Sequence, residues 1–174
     1  MMLATWIFWL GRRKFVHVPP GGVAFVREMI GAEGLAVCGR LVTIYLFVAV
    51  FWSLYDQTAS AWVLQAEHMD LNLFGIEWLP SQIQAINPIL ILTYIPLFSY
   101  VVYPLLARLF EPTPLRKILL GFALTVAAFL VPAWVEWRIS LGAHPTIAWH
   151  LLAYVILTAA EVLVSITCLE FSYT

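Results

Sequence analysis

Four long apolar stretches, at about residues 41–64, 83–106, 115–137 and 147–174, leave this chain few ways to fold. A helix needs about 20 such residues to cross roughly 30 Å of hydrocarbon. The stretches lack the period-two alternation and regular turn spacing of barrel strands. With 63% hydrophobic residues, 11% charged residues and a mean hydropathy of +0.91, the chain could not cover itself with polar side chains in water. An all-α membrane protein with about four transmembrane helices follows, with the lipid bilayer as its surroundings.

Residues 1–10, MMLATWIFWL, are too short to span alone and lack the charged start and cleavage site of a signal peptide. They read as the end of a truncated transmembrane helix. Residues 11–40 carry GRRKFVHVPPGG and GAEG, where Pro19, Pro20 and paired glycines interrupt helices. The expectation there is a linker with one short surface helix, followed by a transmembrane region over 41–174. Arg12, Arg13, Lys14, Arg27, Arg40, Arg108, Arg116 and Lys117 fall on one side of a four-span topology, and Arg138 on the other. That asymmetry puts residues 11–40 and about 107–116 in the cytoplasm, and Glu67–Pro80 and Arg138–Pro145 outside. Trp62, Trp78, Trp137 and Trp149 lie near the predicted outer ends, as an interfacial belt would.

The net charge of −1 offers no basic surface for nucleic acid. Cys38 and Cys168 lack metal-ligand spacing and read as small apolar fillers. His17, His68, His144 and His150 fall in loops or near interfaces, with no metal or catalytic spacing, so neither a metal site nor a cofactor is expected. No nucleophile elbow or phosphate loop suggests an enzyme.

The informative residues are polar groups inside the spans. A carboxylate at a helix centre costs about 2.5–3.5 kcal/mol on insertion scales. Asp56 lies in FWSLYDQTAS, where Trp52, Asp56 and Ser60 are four apart and would share a helix face. That face is either the wall of a polar cavity or a polar strip bonded to a neighbouring helix. Glu161 lies mid-span on a stripe with Tyr154, Thr158, Ser165 and Cys168. Such a stripe faces protein or water. A desolvated carboxyl on it can exchange a proton or receive a substrate ammonium; the alternative is a permanent pair with an Arg or Lys of another helix. Asn87-Pro88 opens the second span, and Pro96 and Pro104 interrupt it again, as suits a moving element or simply a kinked helix. Arg40, at the cytoplasmic start of the first span, fits an interfacial anchor.

These segments resemble the proton-dependent oligopeptide transporter (POT/PTR) family of the major facilitator superfamily. FWSLYDQTASAWVLQA is similar to that family's seventh-helix pattern FWxxFDQxxSxWxLQA, and LPSQIQAINPILILTYIPLFSYVVYPLL to the eighth, QxQxxNPxLxxxxxPxFxxxxYP. TPLRKILLGFAL resembles the start of the ninth helix, LTAAEVLVSITCLEFSYT the tenth, and ATWIFWLGRRKFVHVPP the end of the sixth with its linker. The resemblance covers essentially the whole chain. It implies part of a twelve- to fourteen-helix major facilitator fold and a proton-coupled symporter of di- and tripeptides in the plasma (inner) membrane. It also implies protons as the coupling ion, alternating access, and partnership with the transporter's remaining N-terminal and C-terminal helices. By motif position, Trp52, Asn87, Tyr154 and Glu161 match substrate-binding residues, with Glu161 receiving the peptide's amino terminus. Arg40, Asp56 and Glu161 match positions tied to proton coupling and gating.

The sequence departs from the pattern at three points. Ser99 stands where many members place an aspartate to pair with the seventh-helix arginine. Ala160-Glu161 replaces Gly-Glu. The first-helix ExxERFxYY signature is absent, and with it the opposite wall of a pocket. A fragment of a symporter is therefore expected, against the alternative of a non-transporting four-helix membrane subunit that packs on a partner through its polar faces.

Overall fold

The computed structural model describes residues 22–73, 75–109, 111 and 113–173. The expected helix end at 1–10 and the first half of the linker, His17 included, lie outside the described residues. Compact packing divides the chain between Val42 and Thr43. In the first unit, helix α1 (Gly22–Ile30) is followed by the start of α2 (Ala32–Tyr55). The helix of the first span thus begins upstream of the expected Leu41. From Ala32 onward no proline interrupts the hydrogen-bond ladder, and nothing in the local sequence stops a helix from starting there.

Among the described residues, four helical segments are long and apolar enough to cross a membrane: Gly34–Ala66, Pro80–Leu109, Pro114–Ser140 and Ala148–Leu169. The first and second are broken, each for a local reason. In the first, DQTAS supplies side chains that compete with the helix ladder. The Ser60 hydroxyl bonds the Gln57 side chain at 3.3 Å and the Asp56 carbonyl at 3.4 Å. A 3₁₀ turn over Asp56–Ala59 results, and the chain re-enters a helix as α3 (Ala61–Ala66). The second span begins as a 3₁₀ turn, Pro80–Ala85, and continues as α4 (Ile86–Leu97). Just past Pro96, whose ring removes one ladder bond, the helix widens into a π-turn over Phe98–Val102 before α5 (Tyr103–Leu109).

The third and fourth spans are continuous: α6 (Pro114–Ser140) and α7 (Ala148–Tyr173). The buried face of α6 runs Ile118, Gly121, Thr125, Ala128, Pro132, Val135, at alternating spacings of three and four. Small residues on that face let the helices approach closely, which is how apolar helices associate where lipid is as apolar as they are. A methyl group added at Gly121 would lie 2.6 Å from Val164 Cγ2 and 3.2 Å from the Ala160 carbonyl of α7. The core accordingly sits along α7, where Ala153, Leu157, Ala160 and Val164 are fully buried.

At one end the loops are tied together. A short hairpin pairs β1 (Asn72–Leu73) with β2 (Ile76–Glu77), turning at Gly75 with φ +79°. Asp70 bridges to the loop before α7, its N–H donating to the Pro145 carbonyl at 3.0 Å and its carbonyl accepting from Ile147 at 2.9 Å. Gly142, also at φ +79°, closes the end of α6 by donating to the Ile139 carbonyl at 2.8 Å.

Candidate functional site

Three spans bring polar side chains to one point beside the middle of α7. Thr158 Oγ1 donates to Asn87 Oδ1 at 2.7 Å, which leaves the Asn87 amide nitrogen to donate to the Tyr55 hydroxyl oxygen. The Glu161 carboxyl lies beside the Tyr55 hydroxyl and the Asn87 amide, both of which can donate to it. The donors therefore run in one sense, Thr158 to Asn87 and Asn87 to Tyr55, with the Glu161 carboxyl beside the last two. Glu161 Oε2 is buried with no hydrogen-bond partner among the described residues. Among the described residues, the groups beside this carboxyl are neutral.

An unpartnered buried oxygen is costly, and a proton or an incoming N–H donor relieves that cost. Chemically, such an arrangement can accept a proton or an N–H donor. Its geometry depends on the breaks in the helices. The 3₁₀ turn after Tyr55 exposes the Thr58 carbonyl, to which Tyr154 donates at 3.2 Å. Asn87 sits at the second residue of α4, just past the Pro80–Ala85 turn, where the chain enters the regular helix.

Of the residues expected to bind substrate, Asn87, Tyr154 and Glu161 gather here. Trp52 stands at the rim, 39% exposed, its ring edge-on to Phe51 at 5.6 Å and to Tyr55 at 5.3 Å. Asp56 is exposed and its side chain lies outside this group. Trp52 and Ser60, expected on the same face, are likewise exposed. Arg40 lies in α2 within the first unit, with an exposed side chain. The Ser99 hydroxyl bonds the Ile95 carbonyl at 2.9 Å.

Tyr55 and Thr58 were not singled out from sequence. A tyrosine directly before an aspartate and a threonine within a polar run were the only signals. Among the described residues, no cluster of three or more His, Cys, Asp or Glu side chains could hold a metal ion.

Residues 33–174 match the model of the POT family. The chain belongs to that family. This POT-family chain is 42% identical over 106 residues to "Peptide transporter family 1" of Drosophila melanogaster, covering 61% of itself and 14% of that protein. It is 38% identical over 133 residues to "Solute carrier family 15 member 2" of Rattus norvegicus, covering 75% of itself and 18% of that protein. Among solved structures, it resembles an auto-inhibited POT family peptide transporter with a TM-score of 0.72 and 40% identity, covering 78% of this chain and 26% of that one. It resembles the POT family transporter PepTSo with a TM-score of 0.75 and 27% identity, covering 99% of this chain and 48% of that one. The POT-family chain spans under a fifth of these curated relatives and under half of these solved transporters. Its four spans have the all-helical, membrane-crossing architecture of that fold, and the relatives are named as transporters rather than enzymes.

Proposed function

We propose that this chain forms part of the substrate-binding half of a proton-coupled symporter of di- and tripeptides that works by alternating access in the plasma (inner) membrane. Glu161 carries the proposal: a buried carboxyl oxygen without a partner, set among neutral donors where three spans meet. A proton and a peptide ammonium compete for that oxygen, and a group that holds one or the other couples the two. No covalent step is involved. Protonation changes the relative stability of outward-facing and inward-facing states.

In this reading Asn87, Tyr154 and Glu161 contact the peptide, with Trp52 at the rim. Arg40 and Asp56 serve proton coupling and gating from outside the group around Glu161. The remaining helices of the same transporter supply the opposite wall and the positive charge for the peptide's carboxyl end. Residues 11–40 and about 107–116 face the cytoplasm, on the asymmetry of Lys and Arg.

The test is acid-driven uptake of alanylalanine into proteoliposomes carrying the polypeptide as its gene encodes it. With Glu161→Gln, uptake should lose its dependence on the proton gradient and apparent affinity should fall at least tenfold. Uptake that stays gradient-driven at wild-type affinity would sink the role given to Glu161.

A further inference from the structure

A second polar group, running from buried His150 through half-buried Gln65 to exposed Glu136, lies near the hairpin end of the spans, about one helical turn beyond Tyr154. Gln65 Nε2 faces two acceptors, the Pro132 carbonyl at 3.0 Å and Glu136 Oε2 at 2.6 Å. That fixes the amide, because the nitrogen alone can serve both. Gln65 Oε1 then faces His150 Nε2 at 2.7 Å, so this nitrogen must carry the hydrogen. The bonds run from His150 of α7 through Gln65 of α3 to Glu136 of α6, tying three spans together.

The imidazole is 1% exposed and stacks on Trp62, with centroids 5.6 Å apart and planes 23° from parallel. Trp62 in turn meets Tyr154 edge-on at 5.1 Å and 81°. Tyr154 is thus held at its ring by Trp62 and at its hydroxyl by the Thr58 carbonyl. Apolar residues could fill the same space without burying a histidine and a glutamine in hydrocarbon. What they could not do is fix the rotation of the imidazole, and with it the plane against which Trp62 rests.

We infer that His150, Gln65 and Glu136 form a clasp of positioning residues that sets Tyr154 in the peptide site by way of Trp62. The inference rests on the reading that Tyr154 contacts the substrate. It places specificity partly in residues one to two turns away from the peptide. The clasp acts on binding rather than on turnover, since no member touches Glu161.

The experiment compares variants in proteoliposomes carrying the polypeptide as its gene encodes it, with alanylalanine as the probe. Uptake gives KM and maximal rate, and thermal stabilisation by alanylalanine gives affinity without requiring transport. His150→Phe keeps a flat ring on Trp62 and removes the donor to Gln65. It should raise KM five- to tenfold with the maximal rate within twofold. His150→Gln restores a donor but removes the ring from Trp62, so it should raise KM at least as much as His150→Phe. Gln65→Leu should match His150→Phe, and the double variant should be no worse than either alone.

If Tyr154→Phe raises KM at least fivefold while His150→Phe and Gln65→Leu leave it unchanged, the clasp is overturned and the site stands. If Tyr154→Phe also leaves KM unchanged in an active protein, the site reading fails and the clasp falls with it. Clasp variants that lose folded protein and maximal rate in proportion, with KM unchanged, reduce the cluster to a structural one and overturn the inference.

Discussion

The fourth and second spans are similarly apolar and differently held. In its most apolar stretch 56% of the fourth span is buried within the structure, against 6% of the second. The fourth packs by close approach, with Ala160 and Val164 against Gly121 of α6. The second shows Ile89, Leu92 and Tyr100 outward and is fixed by a few particular contacts: Asn87 to Thr158 and Tyr55, Tyr94 to the Val155 carbonyl at 3.2 Å, and buried Phe98. In lipid no hydrophobic force gathers helices, so packing and polar bonds carry the association. One span is therefore a scaffold whose shape fixes the site. The other is pinned at points, and its pins coincide with the site.

That contrast predicts a graded set of effects. Gly121→Leu attacks the scaffold and should destabilise the bundle most, by about 3 kcal/mol or more, since Val164 and the Ala160 backbone must both yield. Thermal unfolding in detergent checks it, and a loss below ~1 kcal/mol would refute close packing as the scaffold's basis. Asn87→Leu removes a pin and leaves Thr158 and Tyr55 short of partners. The expected loss is smaller, about 1–2 kcal/mol in the same assay, with weakened alanylalanine binding. Equal losses from both substitutions would erase the distinction between scaffold and pin. Glu161→Leu should cost least, leaving stability within about 1 kcal/mol of wild type, because it removes a buried oxygen that has no partner. A loss above ~2 kcal/mol would make Glu161 a structural residue.

Much of this was legible in the residues. Hydrophobic length located the spans, and the stripe Tyr154–Thr158–Glu161 indicated a face turned to protein, where Tyr154 and Thr158 are indeed buried. Motif positions named Asn87 and Glu161, which meet across two spans. What pattern could not supply was local departure from the 3.6-residue period. The turn at Asp56–Ala59 makes the Thr58 carbonyl available to Tyr154. Nor could sequence position reveal burial near a helix end. His150 reads as interfacial, yet α3 and α6 close over it.

The π-turn at Phe98–Val102 has a consequence for chain length. A wide turn accommodates one residue more than the α-helix around it and leaves the helical faces on either side in phase. Deleting one residue there lets the ladder close as an ordinary α-helix with Asn87 still directed at Thr158. The same deletion in the middle of α6 or α7 would turn every later side chain by about 100° and carry the buried face round toward lipid. The second span is thus the transmembrane helix of this chain that can change its residue count without changing which way it faces.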